Sequence, residues 1–168
     1  QGLRYAILSP YQAEKVRPLD SEKWTDVSTG NFEIRRPYVW IDRDPDGKPL
    51  KDRAITLFFY DGPLSKAVAF EGALKNSESF AARLAANYDP AAAQDQLLSL
   101  AIDGETFGHH HKFGDMTLAH AFRHEIKKHG VEIVNFSTYL DAHPAAHEAE
   151  IKKGPDGDGT AWSCAHGV

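Results

Sequence analysis

Four short apolar runs, rich in β-branched and aromatic residues, are separated along the chain by turn residues and polar positions. They cover residues 5–8, 54–60, 97–102 and 131–136. Few of these runs alternate with polar residues, which favours strands covered on both faces, as in a parallel sheet wrapped by helices. The pattern therefore predicts four buried strands.

Apolar residues at helical spacing occupy the intervals between the later runs. We predict helices over 64–74 and 80–88, with Asn76 or Ser77 suited to cap the second one. A third helix is predicted over 115–129, where basic residues in the last turn precede a glycine, the expected stop. Strand and helix alternate between residues 60 and 136, which predicts βαβ units and an α/β fold.

Residues 11–53 break this alternation, because they contain several prolines and two tryptophans, Trp24 and Trp40. We expect a long excursion with a short hairpin around residues 38–41. Excursions of this length inside a compact domain are usually functional or packed on themselves.

Composition and charge narrow the class of protein. The chain has 168 residues, of which 42% are hydrophobic and 26% charged, the size and composition of one globular domain. Its 19 basic and 24 acidic side chains give a formal charge of −5 without long blocks of one sign, so we expect neither nucleic acid nor an anionic membrane as a partner.

The termini and the single cysteine add three expectations. No apolar stretch approaches the roughly 20 residues that span a bilayer, and no secretory signal opens the chain, which favours a cytoplasmic protein. Cys164 is the only cysteine, so no internal disulfide can form, and we expect a buried structural thiol. The chain enters a strand at once and has no initiator methionine, which is typical of a piece of a longer protein.

The densest group of reactive side chains follows the predicted strand 97–102 directly. Asp103 would lie at the carboxyl end of that strand, where ligand-facing residues emerge in parallel α/β sheets and barrels. Glu105 lies two residues on and would project to the same side of an extended segment. A carboxylate beside another can have a raised pKa and act as a general acid. Alternatively, Asp103 caps the following turn and Glu105 is a solvated loop charge.

Three adjacent histidines, His109, His110 and His111, follow the two carboxylates. His109 and His111 would share a face of an extended segment, so a zinc-dependent hydrolase or deacetylase with Asp103 or Asp115 as a further ligand is one hypothesis. The other is that the imidazoles donate hydrogen bonds to substrate hydroxyl groups. The pairs His120/His124 and His143/His147 lack the His-Glu-x-x-His pattern, and we expect them on the surface or in supporting positions behind a site.

Aromatic residues offer a platform for sugar rings, although each one taken singly is more often part of a core. The candidates are Trp24, Tyr38, Trp40, Tyr60 and Trp162. Two further pairs, Tyr11-Gln12 and Tyr60-Asp61, follow predicted strands and would share the rim on which Asp103 lies.

Four segments together, residues 7–13, 58–63, 101–111 and 162–167, resemble a bacterial branch of glycoside hydrolase family 57. The most specific part is Asp-Gly-Glu-x-Phe-Gly-His at 103–109. The resemblance implies an incomplete (β/α)7 barrel with mainly parallel strands. It also implies a retaining activity on α-glucans, as in amylases, 4-α-glucanotransferases, branching enzymes and related α-galactosidases, with no metal and no cofactor.

Residue roles follow from the same resemblance. Asp103 is the expected general acid/base, and the family's nucleophile is a glutamate in an earlier Trp-Leu-Pro-Glu type of segment, which this chain does not contain. Residues 1–168 would then be a single fragment, the C-terminal part of a catalytic barrel cut at both ends and inactive in isolation. The expected substrate contacts are Tyr11, Gln12, Tyr60, Asp61, Glu105, His109, His110 and His111.

The number of predicted strands determines which partners we expect. Four strands are too few to close the expected barrel, so the remainder of the parent barrel, or self-association across an open sheet edge, would complete the core. A non-catalytic carbohydrate-binding module that keeps the barrel and has lost the chemistry is the third hypothesis, beside the glycosidase and the zinc enzyme.

Overall fold

A computed structural model describes residues 2–154, 157 and 159–161. The chain divides into two compact units, Gln1–Tyr60 together with Leu140–Val168, and Asp61–Tyr139. We call the first the sheet unit and the second the helical unit. Within the described residues, no helix combines the length and the apolar character that crossing a membrane requires.

The sheet unit is built on six strands in the order β1-β5-β4-β6-β2-β3 within the part of the chain that is described. The strands are β1 (Tyr5–Leu8), β2 (Ala13–Pro18), β3 (Thr25–Asp26), β4 (Tyr38–Arg43), β5 (Pro49–Phe59) and β6 (His147–Ile151). β1 pairs with β5, and β4 with β6, in parallel, whereas the other three pairings are antiparallel. The α/β class is confirmed, but the sheet is mixed and not mainly parallel.

A tight turn explains why the sheet is mixed. The Asp44 carboxylate accepts the backbone N–H groups of Asp46 (3.0 Å) and Lys48 (2.8 Å), and Gly47 adopts a left-handed φ of 81°. So short a connection can join only antiparallel strands, here β4 and β5. The predicted hairpin around 38–41 is confirmed, and the predicted strand 54–60 is the second half of β5, which ends at Phe59.

The core of the sheet unit is aromatic at its centre. Phe32, Tyr38 and Phe59 pack edge to face with ring centroids 5.0–5.6 Å apart. The Tyr38 hydroxyl donates to the Glu33 carbonyl at 2.5 Å, and burial raises the Tyr38 pKa. Phe32 and Tyr38 come from the 11–53 excursion, which therefore packs on itself and supplies part of the core.

A buried carboxylate links three neighbouring strands of this sheet. Glu148 on β6, whose side chain is 2% exposed, accepts hydrogen bonds from Arg17 Nε (2.9 Å) and Nη2 (2.7 Å) on β2 and from Arg43 on β4. The Arg17 guanidinium also lies 4.5 Å from the Trp24 ring. Since a buried charge is tolerated only when paired, this network fixes β2, β6 and β4 relative to each other.

The helical unit contains short helices around a core of aliphatic residues and Phe80. Its helices are α1 (Gly62–Phe70), α2 (Ser77–Ala85) and α3 (Gly114–His120), and α4 (Phe136–Ala142) begins at its end. α3 continues as a π-helical turn, Ala121–Glu125, and a 3-10 turn, Ile126–His129, and then stops at Gly130 (φ 71°). The predicted helix 115–129 and its glycine stop are thus confirmed as one helical segment.

The two other predicted helices form with different bounds. Asn76 caps α2, because its Oδ1 accepts the Ser79 N–H at 2.9 Å, so that helix begins and ends earlier than predicted. The predicted helix 64–74 is interrupted at Gly72, whose φ of 74° ends α1 before a 3-10 turn, Ala73–Lys75.

The predicted strands 97–102 and 131–136 do not form. Leu98, Leu100 and Ile102 are partly buried and pack against the core of the helical unit, as alternate residues of an extended segment would. The carbonyl of Ser99 accepts one hydrogen bond, from Asp61 N–H at 2.8 Å, and no strand ladder involves this segment within the described residues. In the second run, Asn135 Oδ1 accepts the Thr138 N–H and starts α4 instead.

Candidate active-site loop

The reactive segment found in the sequence forms a closed loop, residues 103–111, at the end of the extended segment 97–102. A 3-10 turn, Gly104–Thr106, opens the loop, with Thr106 N–H donating to the Asp103 carbonyl at 3.0 Å. The Glu105 carbonyl accepts both the His109 N–H (3.2 Å) and the His110 N–H (3.0 Å). Because these bonds lie within the loop itself, its shape depends little on its neighbours.

Gly108 allows the chain to return at the tip of the loop. Its φ of 121° is open to glycine and strained for other residues. The Gly108 N–H donates to the His111 carbonyl at 3.1 Å, and the His111 N–H donates to the Thr106 carbonyl at 3.1 Å. These two hydrogen bonds hold Thr106 and His111 together on either side of Gly108.

His111 anchors the loop to α1. Its Nε2 lies 2.7 Å from the Ala69 carbonyl, and because a carbonyl can only accept, Nε2 carries a proton that it donates. The adjoining Gly114 is buried, and a Cβ there would meet the His111 Cβ and the Leu74 Cδ1 at 3.3 Å. The base of the loop thus packs closely against the core of the helical unit.

The side chains on the outer part of the loop face solvent. Asp103, Glu105, His109 and His110 are all exposed. The rings of His109 and His110 lie 4.9 Å apart, and His110 Nε2 is 3.6 Å from Glu105 Oε2, an ion pair when the imidazole is protonated. The structure therefore brings two carboxylates and two exposed imidazoles together on one short loop.

Two Asp-Gly pairs in the helical unit differ in what the carboxylate does. Asp61 caps α1: its Oδ1 accepts the Leu64 N–H at 2.8 Å, and its carbonyl accepts the Ser65 hydroxyl at 2.6 Å. Asp103 occupies the same position before its own 3-10 turn, yet its carboxylate makes no capping hydrogen bond, and the turn is closed through its backbone carbonyl. The alternative in which the Asp103 side chain caps the turn is therefore not what the structure has.

Three predicted substrate contacts, Tyr11, Gln12 and Tyr60, belong to the sheet unit. Gln12 is buried, and its amide is engaged: Oε1 accepts the Ser9 N–H at 3.1 Å and Nε2 donates to the Thr160 carbonyl at 2.7 Å. Tyr11 is 68% exposed, and its ring packs over Gly30. Tyr60 is half-buried.

Three of the aromatic residues suggested as a platform for sugar rings make contacts within the fold of the sheet unit. Tyr38 is 2% exposed and Trp40 packs against the same core, so both serve the fold, and Trp24 stacks with Arg17. Trp162 and Cys164 lie outside the described residues.

The zinc hypothesis gains no geometric support. In the part of the chain that the structure describes, no group of three or more histidine, cysteine, aspartate and glutamate side chains is arranged to hold a metal ion. His111, one of the proposed ligands, directs its Nε2 at the Ala69 carbonyl.

Phe113 is a feature that the sequence reasoning missed. It is 59% exposed and adopts a left-handed φ of 64°, and among the described residues it is the only one other than glycine with a positive φ. Phenylalanine disfavours this conformation, so no propensity pointed to it. Bulky residues in such a conformation concentrate at ligand-binding and active sites, and Phe113 lies beside the candidate loop.

The chain matches a known protein family. A family model described as "Glycosyl hydrolase family 57" matches residues 38–152, more than half of the chain and all of the loop 103–111. No curated protein matches this chain.

Proposed function

Because the chain belongs to glycosyl hydrolase family 57, we propose that it is part of a retaining enzyme acting on α-glucans, in which Asp103 is the general acid/base. The observation that carries this proposal is the contrast between the two Asp-Gly pairs. Asp61 uses its carboxylate to cap a helix, whereas the exposed carboxylate of Asp103 makes no capping bond and is available to a ligand.

The chemistry assigned to Asp103 consists of two proton transfers. In the first step its carboxylic acid donates a proton to the glycosidic oxygen as the leaving sugar departs and a nucleophilic carboxylate bonds to the anomeric carbon. In the second step the resulting carboxylate accepts a proton from the incoming water or sugar hydroxyl, which then attacks the covalent intermediate. A rigid loop suits this task, because the same oxygen must reach the leaving group and then the acceptor.

A second carboxylate is needed, since retaining hydrolysis places the nucleophile about 5–5.5 Å from the acid/base. Glu71 is an unsuitable candidate, because it lies 3.7 Å from both Lys66 and Arg83. Glu105 shares the loop with Asp103 but faces His110. We therefore propose that neither Glu71 nor Glu105 is the nucleophile. The proposed nucleophile is a glutamate in the remainder of the parent barrel, and we expect residues 1–168 in isolation to be inactive.

The exposed imidazoles suit the recognition of a polyhydroxylated substrate. His109 and His110 are both exposed, and imidazole nitrogen atoms can donate hydrogen bonds to sugar hydroxyl groups or accept from them. Glu105 and the second carboxylate oxygen of Asp61 are further acceptors. In the sheet unit, Tyr11 is the exposed aromatic residue suited to stack on a sugar ring, and Tyr60 completes the proposed contacts, while the Gln12 amide serves the fold.

The test is the Asp103→Asn substitution in the intact enzyme that contains this chain, assayed on malto-oligosaccharides. Asparagine keeps the size of the side chain but cannot donate the proton, so we expect turnover to fall about 10²- to 10⁴-fold. A maltosyl fluoride, whose leaving group needs no proton, should regain much of the first step, which separates lost acid catalysis from misfolding.

The matched control is Asp46→Asn, in another exposed Asp-Gly pair that lies on the β4–β5 turn. This variant should keep wild-type turnover. Full activity of the Asp103→Asn variant on malto-oligosaccharides would rule out the acid/base role.

A further inference from the structure

A groove on the helical unit lies beside the candidate loop and has no assigned role. The segment 75–77 forms one wall, and Phe113, Met116, Thr117 and His120 on and before α3 form the other, around a volume of about 490 Å³. The groove is shallow and open to solvent, and its volume is comparable with that of small-ligand sites, about 300–1,000 Å³. The groove is large enough to hold a sugar ring.

The aromatic wall of the groove is exposed and held in a strained conformation. Phe113 is 59% exposed at a φ of 64°, and Met116 beside it is 64% exposed. A strained backbone persists only where its surroundings impose it, and such residues concentrate at ligand sites. The Lys112 ammonium lies over the Phe113 ring at 5.1 Å, so a ligand would stack on the other face of the ring.

The opposite wall and the end of the groove supply hydrogen-bonding groups with unused capacity. Asn76 Oδ1 caps α2, which leaves the two amide N–H groups as donors. The Ser77 hydroxyl lies 3.0 Å from His120 Nδ1, which leaves His120 Nε2 for another partner. An aromatic face beside amide and imidazole groups is the combination that a pyranose needs, because its C–H face is apolar and its edge carries hydroxyl groups.

The groove and the candidate loop are joined by close packing. Gly114 follows Phe113 directly, and a Cβ placed on it would lie 3.3 Å from the His111 Cβ and 3.5 Å from the Phe107 Cα, both in the loop 103–111. A ligand chain that reaches the loop could therefore extend into the groove.

We propose that this groove is a distal carbohydrate subsite, in which Phe113 stacks on one glucose unit of the α-glucan while Asn76 and His120 bind its hydroxyl groups. This inference rests on the proposed function, because the occupant is taken to be the substrate of that site. The subsite would lie away from the scissile bond, so we expect its loss to weaken the binding of long malto-oligosaccharides more than that of short ones.

The test measures binding of maltoheptaose and maltotriose by calorimetry, with the intact enzyme carrying Asp103→Asn so that the ligand is not consumed. Phe113→Asn and Phe113→Gly remove the ring and suit the positive φ, so both variants should fold. We expect each to weaken maltoheptaose binding about three- to tenfold, which is the effect of losing one aromatic stacking contact. Maltotriose binding should change less.

Two further variants serve as controls. Phe113→Tyr keeps the ring and should retain the affinity, and Phe70→Ala removes a phenylalanine that is 81% exposed and does not line the groove. Unchanged maltoheptaose affinity in both Phe113→Asn and Phe113→Gly would overturn the subsite.

The outcomes separate this inference from the proposed function. If Asp103→Asn remains fully active on malto-oligosaccharides, the acid/base assignment fails, and the subsite still stands if the Phe113 substitutions raise the KM for maltoheptaose more than the KM for maltotriose. If Asp103→Asn abolishes turnover and the Phe113 variants bind normally, the assignment stands and the subsite fails.

Discussion

The sheet unit and the helical unit place their polar side chains differently. In the sheet unit, Glu148 is buried between Arg17 and Arg43, and Gln12 uses both ends of its amide within the fold. In the helical unit, the side chains of Asp103, Glu105, His109 and His110 on the loop 103–111 are exposed. Glu148 and Gln12 thus serve the fold, as the helix caps Asp61 and Asn76 do in the helical unit, whereas the outer side chains of the loop are available to a ligand.

The difference shows where chemistry can reside. A carboxylate that is paired and buried is shielded from substrate, as Glu148 is. An exposed carboxylate on a loop closed by its own backbone contributes little to folding and is accessible to a ligand. The contrast predicts that stability and activity respond to different glutamates and aspartates.

The largest effect on stability should come from Glu148→Ala. Removal of this carboxylate leaves the Arg17 and Arg43 guanidinium groups without their buried partner, so we expect the free energy of unfolding to fall by about 3 kcal/mol. The comparison variant is Glu105→Ala, an exposed glutamate whose loss should change the free energy by less than about 0.5 kcal/mol. Urea unfolding followed by circular dichroism measures both, and equal losses would break the contrast between the units.

A smaller effect should separate the two Asp-Gly pairs. Asp61→Ala removes the cap of α1 and should lower the free energy of unfolding by about 1 kcal/mol. Asp103→Ala removes no capping bond and should change it by less than about 0.5 kcal/mol, while abolishing activity in the intact enzyme. Thermal unfolding of the two variants in parallel tests this, and an equal loss of stability would mean that Asp103 serves the fold as Asp61 does.

The smallest effect concerns the pH dependence of the sheet unit. Partial burial and the neighbouring Arg36 guanidinium lower the pKa of His147, while Asp20 opposes them. Arg36 Nη1 lies 3.0 Å from His147 Nε2, and because arginine only donates, this contact needs a neutral imidazole. The Tyr38 ring also packs against the imidazole, with the two ring centroids 5.8 Å apart. A histidine with a lowered folded pKa favours the folded state above its unfolded pKa of about 6.5, and that contribution is lost as the pH falls below it.

The measurement is the free energy of unfolding at pH 7 and pH 5 for the wild type and for His147→Gln. The substitution should reduce the loss of stability on acidification. His129→Gln, in an exposed histidine of the helical unit, should leave that loss unchanged. A wild-type response in His147→Gln would show that other groups cause the acid dependence.

Features with a local physical cause could be predicted from the sequence. The cap by Asn76, the stop at Gly130 and the hairpin around 38–41 each depend on a few adjacent residues, and each is present. The segment 97–102 shows the limit of the method. Its apolar residues correctly indicate burial, but a strand also needs a hydrogen-bonding neighbour, which periodicity does not report.

Some features of the candidate site could likewise be predicted from the sequence, and others could not. The sequence by itself determined that carboxylates and imidazoles are concentrated at 103–111 after a buried extended segment, because order along the chain and burial of apolar residues are local properties. Only the tertiary structure decided which carboxylate is used for capping, that His111 anchors the loop to Ala69, and that Phe113 is held exposed at a left-handed φ. Those outcomes depend on which hydrogen-bonding groups and which neighbours come close in space, and residues distant in sequence decide that.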